Sequence, residues 1–171
     1  MPASCNVQVQ PNQVACVVDL DNLLHRGFDK RSGSAKPRAQ LDILGLSTAL
    51  RQRGVVCGTV CRNWDFPALA EQLWVKLGYK VHASRHNCDD DVISEAESYA
   101  KAGVGQLILV GGDGDYTKAV KALRARGIRV EIWSRKSSTS EDLAGAADSL
   151  RYIDGFLTIP RPVTTTMKIA A

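Results

Sequence analysis

What the chain lacks narrows its class first. No apolar run approaches the roughly 18 residues that a membrane-crossing helix needs. The opening stretch MPASCNVQVQPNQ has no charged start followed by an apolar core, so neither a membrane span nor a secretory leader is expected. The cysteines, Cys5, Cys16, Cys57, Cys61 and Cys88, are odd in number and form no CxxC pair. Cys16, Cys57 and Cys61 lie in apolar, strand-like runs, which points to reduced, buried thiols and a cytoplasmic protein rather than a disulfide scaffold. No internal repeat is visible. Net charge is only +4, which permits a polyanionic partner without requiring one.

What is present describes a globular domain. With 171 residues and 44% hydrophobic content, the chain can bury a sizeable single core. The expected division is a polar lead at 1–12, one domain at 13–159 and a loose tail at 160–171. Strand-like runs VACVVDL, VVCGTVC, YKVHAS, QLILVG and IRVEIW alternate with helical stretches. The first helix is expected from about Pro37 to Arg53, with Ile43, Leu46 and Leu50 inward. The second starts after Asp65 and buries Phe66, Leu69, Leu73, Trp74 and Leu77; DDVISEAESYAKAG forms the third. The fourth covers 116–126 behind an Asp115 cap, burying Tyr116, Ala119, Val120 and Leu123. EDLAGAADSL reads as a last short helix and RYIDGFLTI as a final extended piece. This alternation predicts an α/β fold: a three-layer α/β/α sandwich with a mainly parallel, Rossmann-like central sheet of about five strands.

In such sheets the functional crevice lies at the carboxyl ends of the strands. Strand one ends in Asp19-Leu20-Asp21-Asn22, strand two in Arg62-Asn63. Strand three runs into Asn87-Cys88-Asp89-Asp90-Asp91, and strand four ends in Asp113-Gly114-Asp115. Acids from three strand ends are thus aimed at one edge. Crowded carboxylates repel, and a divalent cation is the usual compensation. Oxygen-only donors suit Mg²⁺ or Mn²⁺. A zinc set from His82, His86 and Cys88 lacks a fourth ligand. Each acid also has a plainer reading. Asp115 can simply cap its helix, and Asp89 and Asp90 can be solvated residues at a helix N-terminus.

Three stretches carry a resemblance: VVDLDN, the DDDV that opens a helix, and ILVGGDGDYTKAVKALRARGIRVEIW, with AADSLRYID as a closing segment. Over roughly residues 14–154 they resemble the NYN domain, the LabA-like branch of the PIN-like nucleases. The strand-four block is the most specific part. The resemblance implies a PIN-like fold and metal-dependent RNA hydrolysis with Mg²⁺ or Mn²⁺. The family's metal-binding acids fall on Asp19, Asp91, Asp113 and Asp115, and its asparagine on Asn22. Two departures stand out: Gly111-Gly112 where a serine or threonine is common before the GD pair, and Glu97 where a second acid is often shorter.

An RNA substrate needs cations near this acidic edge. Arg26, Lys30, Arg31, Lys36 and Arg38 follow strand one, Arg62 ends strand two, and Arg135 and Lys136 follow strand five. They form a candidate phosphate track, or a solvated surface. Trp64 beside Arg62 could stack a base, although packing on its own helix is favoured. Two other functions fit parts of the sequence. A haloacid-dehalogenase-like phosphatase would use Asp19 and Asp21, with Thr59 and Lys76 or Lys80 as partners. A non-catalytic RNA-binding or assembly module would keep the acids for metal or stability. A homodimer through the C-terminal segment is a further expectation.

Overall fold

A computed structural model describes residues 13–24, 28–29, 34–35, 39–63, 67–84 and 88–158. Six strands make one sheet: β1 Val14–Asp19, β2 Val55–Asn63, β3 Lys80–Ser84, β4 Gln106–Val110, β5 Arg129–Ser134 and β6 Ser149–Tyr152. Their order is β3-β2-β1-β4-β5-β6, every pairing parallel. The helices are α1 Leu20–Leu24, α2 Ile43–Gln52, α3 Ala68–Lys76, α4 Asp89–Lys101, α5 Thr117–Ala125 and α6 Glu141–Ala146.

Both faces of the sheet are covered, which is why β1 reads as an almost unbroken apolar run. Ala15 and Val17 pack with Val92 and Ala96 of α4, Val120 and Leu123 of α5 and Leu143 of α6. Cys16 and Val18 face the other way, among Leu46 and Leu50 of α2 and Trp74 of α3. Each fully buried Val or Leu among them contributes about 1.5–3 kcal/mol. The expected three-layer α/β/α sandwich is therefore present. Among the described residues no helix is long and apolar enough to cross a membrane.

Several local expectations are corrected. The sheet has six strands, because α6 stops at Ala146 and Ala147 turns extended, with ψ 164°. Asp148 then accepts from the Val130 amide at 2.8 Å, which aligns the following residues beside β5. Helix α2 begins at Ile43, where Asp42 caps it by accepting from Gly45 N at 2.9 Å. Just before it, Gln40–Leu41 pairs antiparallel with Leu157–Thr158. Pro37, Asp65 and Phe66 lie outside the described residues. In α3 only Trp74 is fully buried, and Leu69 is 81% exposed. The helix touches the sheet along a narrower stripe than its apolar residues suggest.

Candidate metal centre at the switch point

Chain order reverses direction between β1 and β4, which are hydrogen-bonded neighbours. The carboxyl ends of these two strands border the switch-point crevice of an open α/β sheet. β1 delivers Asp19 there and β4 delivers Gly111 to Asp115. The approach is close: a Cβ on Gly111 would lie 3.3 Å from Asp19 Cβ, and one on Gly112 only 2.5 Å from the Ser138 carbonyl oxygen. Glycine at 112 is therefore a packing requirement, set by the loop that follows β5.

Asp19 is 1% exposed. Its Oδ1 accepts from Asn22 N at 3.0 Å and its Oδ2 from the Tyr116 hydroxyl at 2.5 Å. The same hydroxyl lies 3.0 Å from Asp89 Oδ1. Burial pushes the Asp19 carboxyl up to about 6, against its two hydrogen bonds, and the charges of Asp21 and Asp89 add to the rise. Among the described residues no lysine or arginine forms a salt bridge with Asp19. Asp21 is half-buried and accepts from the Cys88 thiol at 3.0 Å and from Asn63 N at 3.4 Å. Burial and the Asp21 carboxylate raise the Cys88 thiol, which stays a donor.

The other expected acids stand differently. Asp91 turns toward β3, 3.2 Å from His82 Nε2. Asp113 caps the short turn Gly114–Tyr116, accepting from Asp115 N at 3.1 Å. The capping role expected of Asp115 thus belongs to Asp113, because the chain makes a single 3₁₀ turn before α5; Asp115 itself is exposed. Asn22 spends its side-chain oxygen on Gly112 N at 2.8 Å, fastening the end of β1 to the turn after β4. Glu97 is exposed, whereas Glu95 faces inward to Thr59 and Lys80.

By sequence Tyr116 reads as a core residue, Asp21 enters only the phosphatase alternative, and Asp89 falls outside the expected metal set. Asp21 stood within VVDLDN and Asp89 headed the acid run. For Tyr116 the sequence offers no signal beyond its place after the GDGD turn.

Of the expected cations, Arg62, Arg135 and Lys136 lie among the described residues. Arg26, Lys30, Arg31, Lys36 and Arg38 lie outside the described residues, as do Trp64 and His86. Arg62 is paired with Glu71 and donates to Asn63 O. Arg135 donates to Leu23 O at 3.2 Å. Lys136 is exposed.

No three His, Cys, Asp or Glu side chains among the described residues converge closely enough to hold an ion as they stand. Their chemistry nonetheless suits a hard cation. Mg²⁺ is typically held through one or two carboxylates, with waters and substrate phosphates completing its shell. Asp19 and Asp89, gathered on one hydroxyl, meet that smaller requirement. A zinc set does not form among the described residues, since His82 faces Asp91 and Cys88 faces Asp21.

Fold and site together define an open parallel α/β domain with a carboxylate-lined edge at its switch point. The NYN domain family model matches residues 13–154, and the chain belongs to the NYN domain family, with its PIN-like nuclease fold. A crystal structure of a Vibrio parahaemolyticus protein of unknown function is similar, with a TM-score of 0.70 and 21% identity, over 86% of this chain and 97% of that one. The 3-deoxy-D-manno-octulosonate 8-phosphate phosphatase of Moraxella catarrhalis, in complex with magnesium and phosphate ions, aligns at a TM-score of 0.45 and 18% identity. It covers 84% of this chain and 76% of that one, and at that score it supports no argument. A search of curated proteins finds no match.

Proposed function

We propose that this protein is a metal-dependent ribonuclease that hydrolyses RNA phosphodiester bonds at the Asp19 edge of the sheet. The observation that carries the proposal is Asp19 itself: a buried carboxylate at the switch point, neighboured by Asp21 and Asp89, with no cationic side chain bridged to it among the described residues. Such a group is costly unless something positive compensates it. Asp19 and Asp113 are the first choice to hold Mg²⁺ or Mn²⁺. Asp91 and Asp115 would complete the set or orient the attacking water. A divalent ion there would polarise the scissile phosphate and lower the pKa of a bound water. Asn22 keeps the Gly112 turn seated against Asp19. Exposed Lys136 would meet substrate phosphates, together with the basic residues that follow β1.

The phosphatase alternative is disfavoured by its partner residues. Thr59 is fully buried in mid-strand, bonded to Glu95 and Tyr99, rather than standing at a strand tip. Lys80 is paired with Glu95.

The test is incubation of the protein, shown free of contaminating nuclease, with labelled single-stranded RNA and, separately, a chromogenic phosphate ester. Each is run with Mg²⁺, Mn²⁺ or excess EDTA. Metal-dependent RNA cleavage without ester hydrolysis is expected. Undiminished cleavage in EDTA counts against the metal role, ester turnover favours the phosphatase, and RNA binding without cleavage favours a non-catalytic module.

A further inference from the structure

Helix α5 begins where the GDGD turn ends and runs away from the Asp19 edge. From Tyr116 to Val130 the chain carries Lys118, Lys121, Arg124, Arg126 and Arg129 and no acid. All five cations are exposed. Val120 and Leu123 bury the opposite side of the helix. Helical spacing sets Lys118 away from that buried pair, with Lys121 and Arg126 to either side of it. Between them stand Ala122 and Ala125, exposed and short, so no long side chain separates the cations. Elsewhere Arg53, Arg62 and Lys80 each meet a glutamate. On α5, Arg124 is bridged to Asp148, and Arg129 lies near the same carboxylate. Among the described residues no acid bridges Lys118, Lys121 or Arg126. Asp115 precedes the helix, Glu131 is bonded to Arg53, and Glu141 and Asp142 sit at the exposed start of α6. A helix face that serves only solubility gains from acids three or four places from its cations, and like charges at that spacing repel. Within α5 every such pair is forgone, which disfavours the free helix and favours a polyanion on it. From Lys118 to Arg126 the axis rises about 12 Å at roughly 1.5 Å per residue. A stacked strand carries one phosphate per roughly 3.4 Å, so the face matches a run of backbone phosphates.

We propose that this face of α5 is an RNA-backbone surface: Lys118, Lys121 and Arg126 hold phosphates of the strand whose scissile bond lies at the Asp19 edge. The inference rests on the ribonuclease reading above and adds to it a path from the GDGD turn along α5, separate from the cations that follow β1 and β5. Contacts of this kind fix the strand's position and carry no sequence information. RNA fits the face better than an acidic protein segment does, because α5 offers cations alone, without the buried aromatic or aliphatic anchors that protein interfaces rely on.

The experiment is binding of a labelled single-stranded oligouridylate to the full chain across a salt series, in EDTA so that no strand is cut. Wild type is compared with Lys118→Gln, Lys121→Gln, Arg126→Gln and the triple variant; glutamine is a good helix former, and these side chains are exposed, so the fold is kept. Lys76→Gln, at the end of α3 on the other face of the sheet, removes the same charge and is the control. The log–log salt slope is expected to fall by roughly 0.7 for each single change on α5 and by about 2 for the triple variant, because fewer counterions are released. Lys76→Gln should leave the slope as it is. An unchanged slope in the triple variant overturns the inference, and so does an equal fall in Lys76→Gln, which would report net charge alone. Absence of RNA binding by the wild type at low salt overturns it as well. Binding of polyglutamate, but not of RNA, that depends on these three residues would assign the face to an acidic protein partner and likewise overturn it. Cleavage by the wild type with and without metal is scored separately, so an α5 result of either sign leaves the ribonuclease reading to its own test. Should the triple variant fail to fold, the three single changes decide by the same criterion.

Discussion

Asn22 accepts the backbone N–H of Gly112 through its side-chain oxygen at 2.8 Å, and by that bond the end of β1 holds the turn after β4. The same residue's N–H is bonded to Asp19 Oδ1. One asparagine thus sets both the orientation of the buried acid and the position of the GDGD turn.

Replacing Asn22 by Ala should strand the Gly112 amide against the Ser138 loop. The expected loss is about 1–3 kcal/mol of stability, the usual cost of an unsatisfied buried donor. Asn22→Asp keeps the acceptor and should recover much of that loss in high salt, where the added negative charge is screened. Urea melts at two salt concentrations check both statements. Equal stability of Asn22→Ala and wild type would show that this bond does not hold the turn.

Gly112 and Gly145 should respond oppositely to the same change. A Cβ at 112 would meet the Ser138 carbonyl oxygen at 2.5 Å, while one at 145 meets nothing within 4 Å. Gly112→Ala should cost about 1–3 kcal/mol through overpacking. Gly145→Ala, within α6, should be neutral or stabilising by up to about 1 kcal/mol on helix propensity. Thermal melting of the pair is the measurement.

Asp148 predicts an acid-range dependence away from the site. The Val130 amide, followed by Arg124, holds its carboxyl below the ordinary value. A depressed carboxyl contributes stability that is present above its unfolded value, about 3.9, and is lost as pH falls through the lower folded value. Asp148→Asn should therefore reduce stability at neutral pH and flatten the acid branch of the stability–pH curve. An unchanged acid branch would show that the interaction contributes nothing in solution.

On the proposed function, Mg²⁺ or Mn²⁺ should raise the melting temperature, because an ion held only by the folded cleft stabilises it; saturation at 100 times Kd corresponds to about 2.7 kcal/mol. Without metal, Asp113→Asn should be as stable as wild type or more so, since it removes one of several like charges. It should also lose most of the metal-induced shift. A shift of wild-type size in Asp113→Asn would remove Asp113 from the ligand set.

The layers of the fold were legible because they rest on local signals. Apolar runs marked the strands, and Gly54 and Gly127, at φ 94° and 81°, end α2 and α5 where their sequence positions suggested. RYIDGFLTI read as extended from Arg151, but the start of the sixth strand at Ser149 and its place beside β5 were not legible, because Asp148 reaching back to Val130 fixes them, a contact that no periodicity encodes. That these strand ends share one edge followed from topology alone, since the strands are parallel. Which acids touch did not. Asp91 is drawn to His82 across the gap between α4 and β3, and Asp19 meets Asp89 through Tyr116, 97 residues along the chain from Asp19. Tyr116 was read for its ring, and a ring in an apolar stripe says nothing of where its hydroxyl ends. Leu69 misled for the opposite reason: its spacing is helical, but α3 meets the sheet mainly through Trp74.

The most direct test of the central claim is cleavage of a short labelled RNA by Asp19→Asn beside wild type, at saturating Mn²⁺, with RNA binding measured in parallel. Asparagine keeps the size of the side chain and one oxygen acceptor while removing the charge that a divalent ion requires. The account predicts that the variant folds, still binds RNA, and loses cleavage by more than the roughly 10–100-fold typical of outer-sphere changes. Wild-type turnover in Asp19→Asn would contradict it, because the buried Asp19 at the switch point would then have no part in the chemistry.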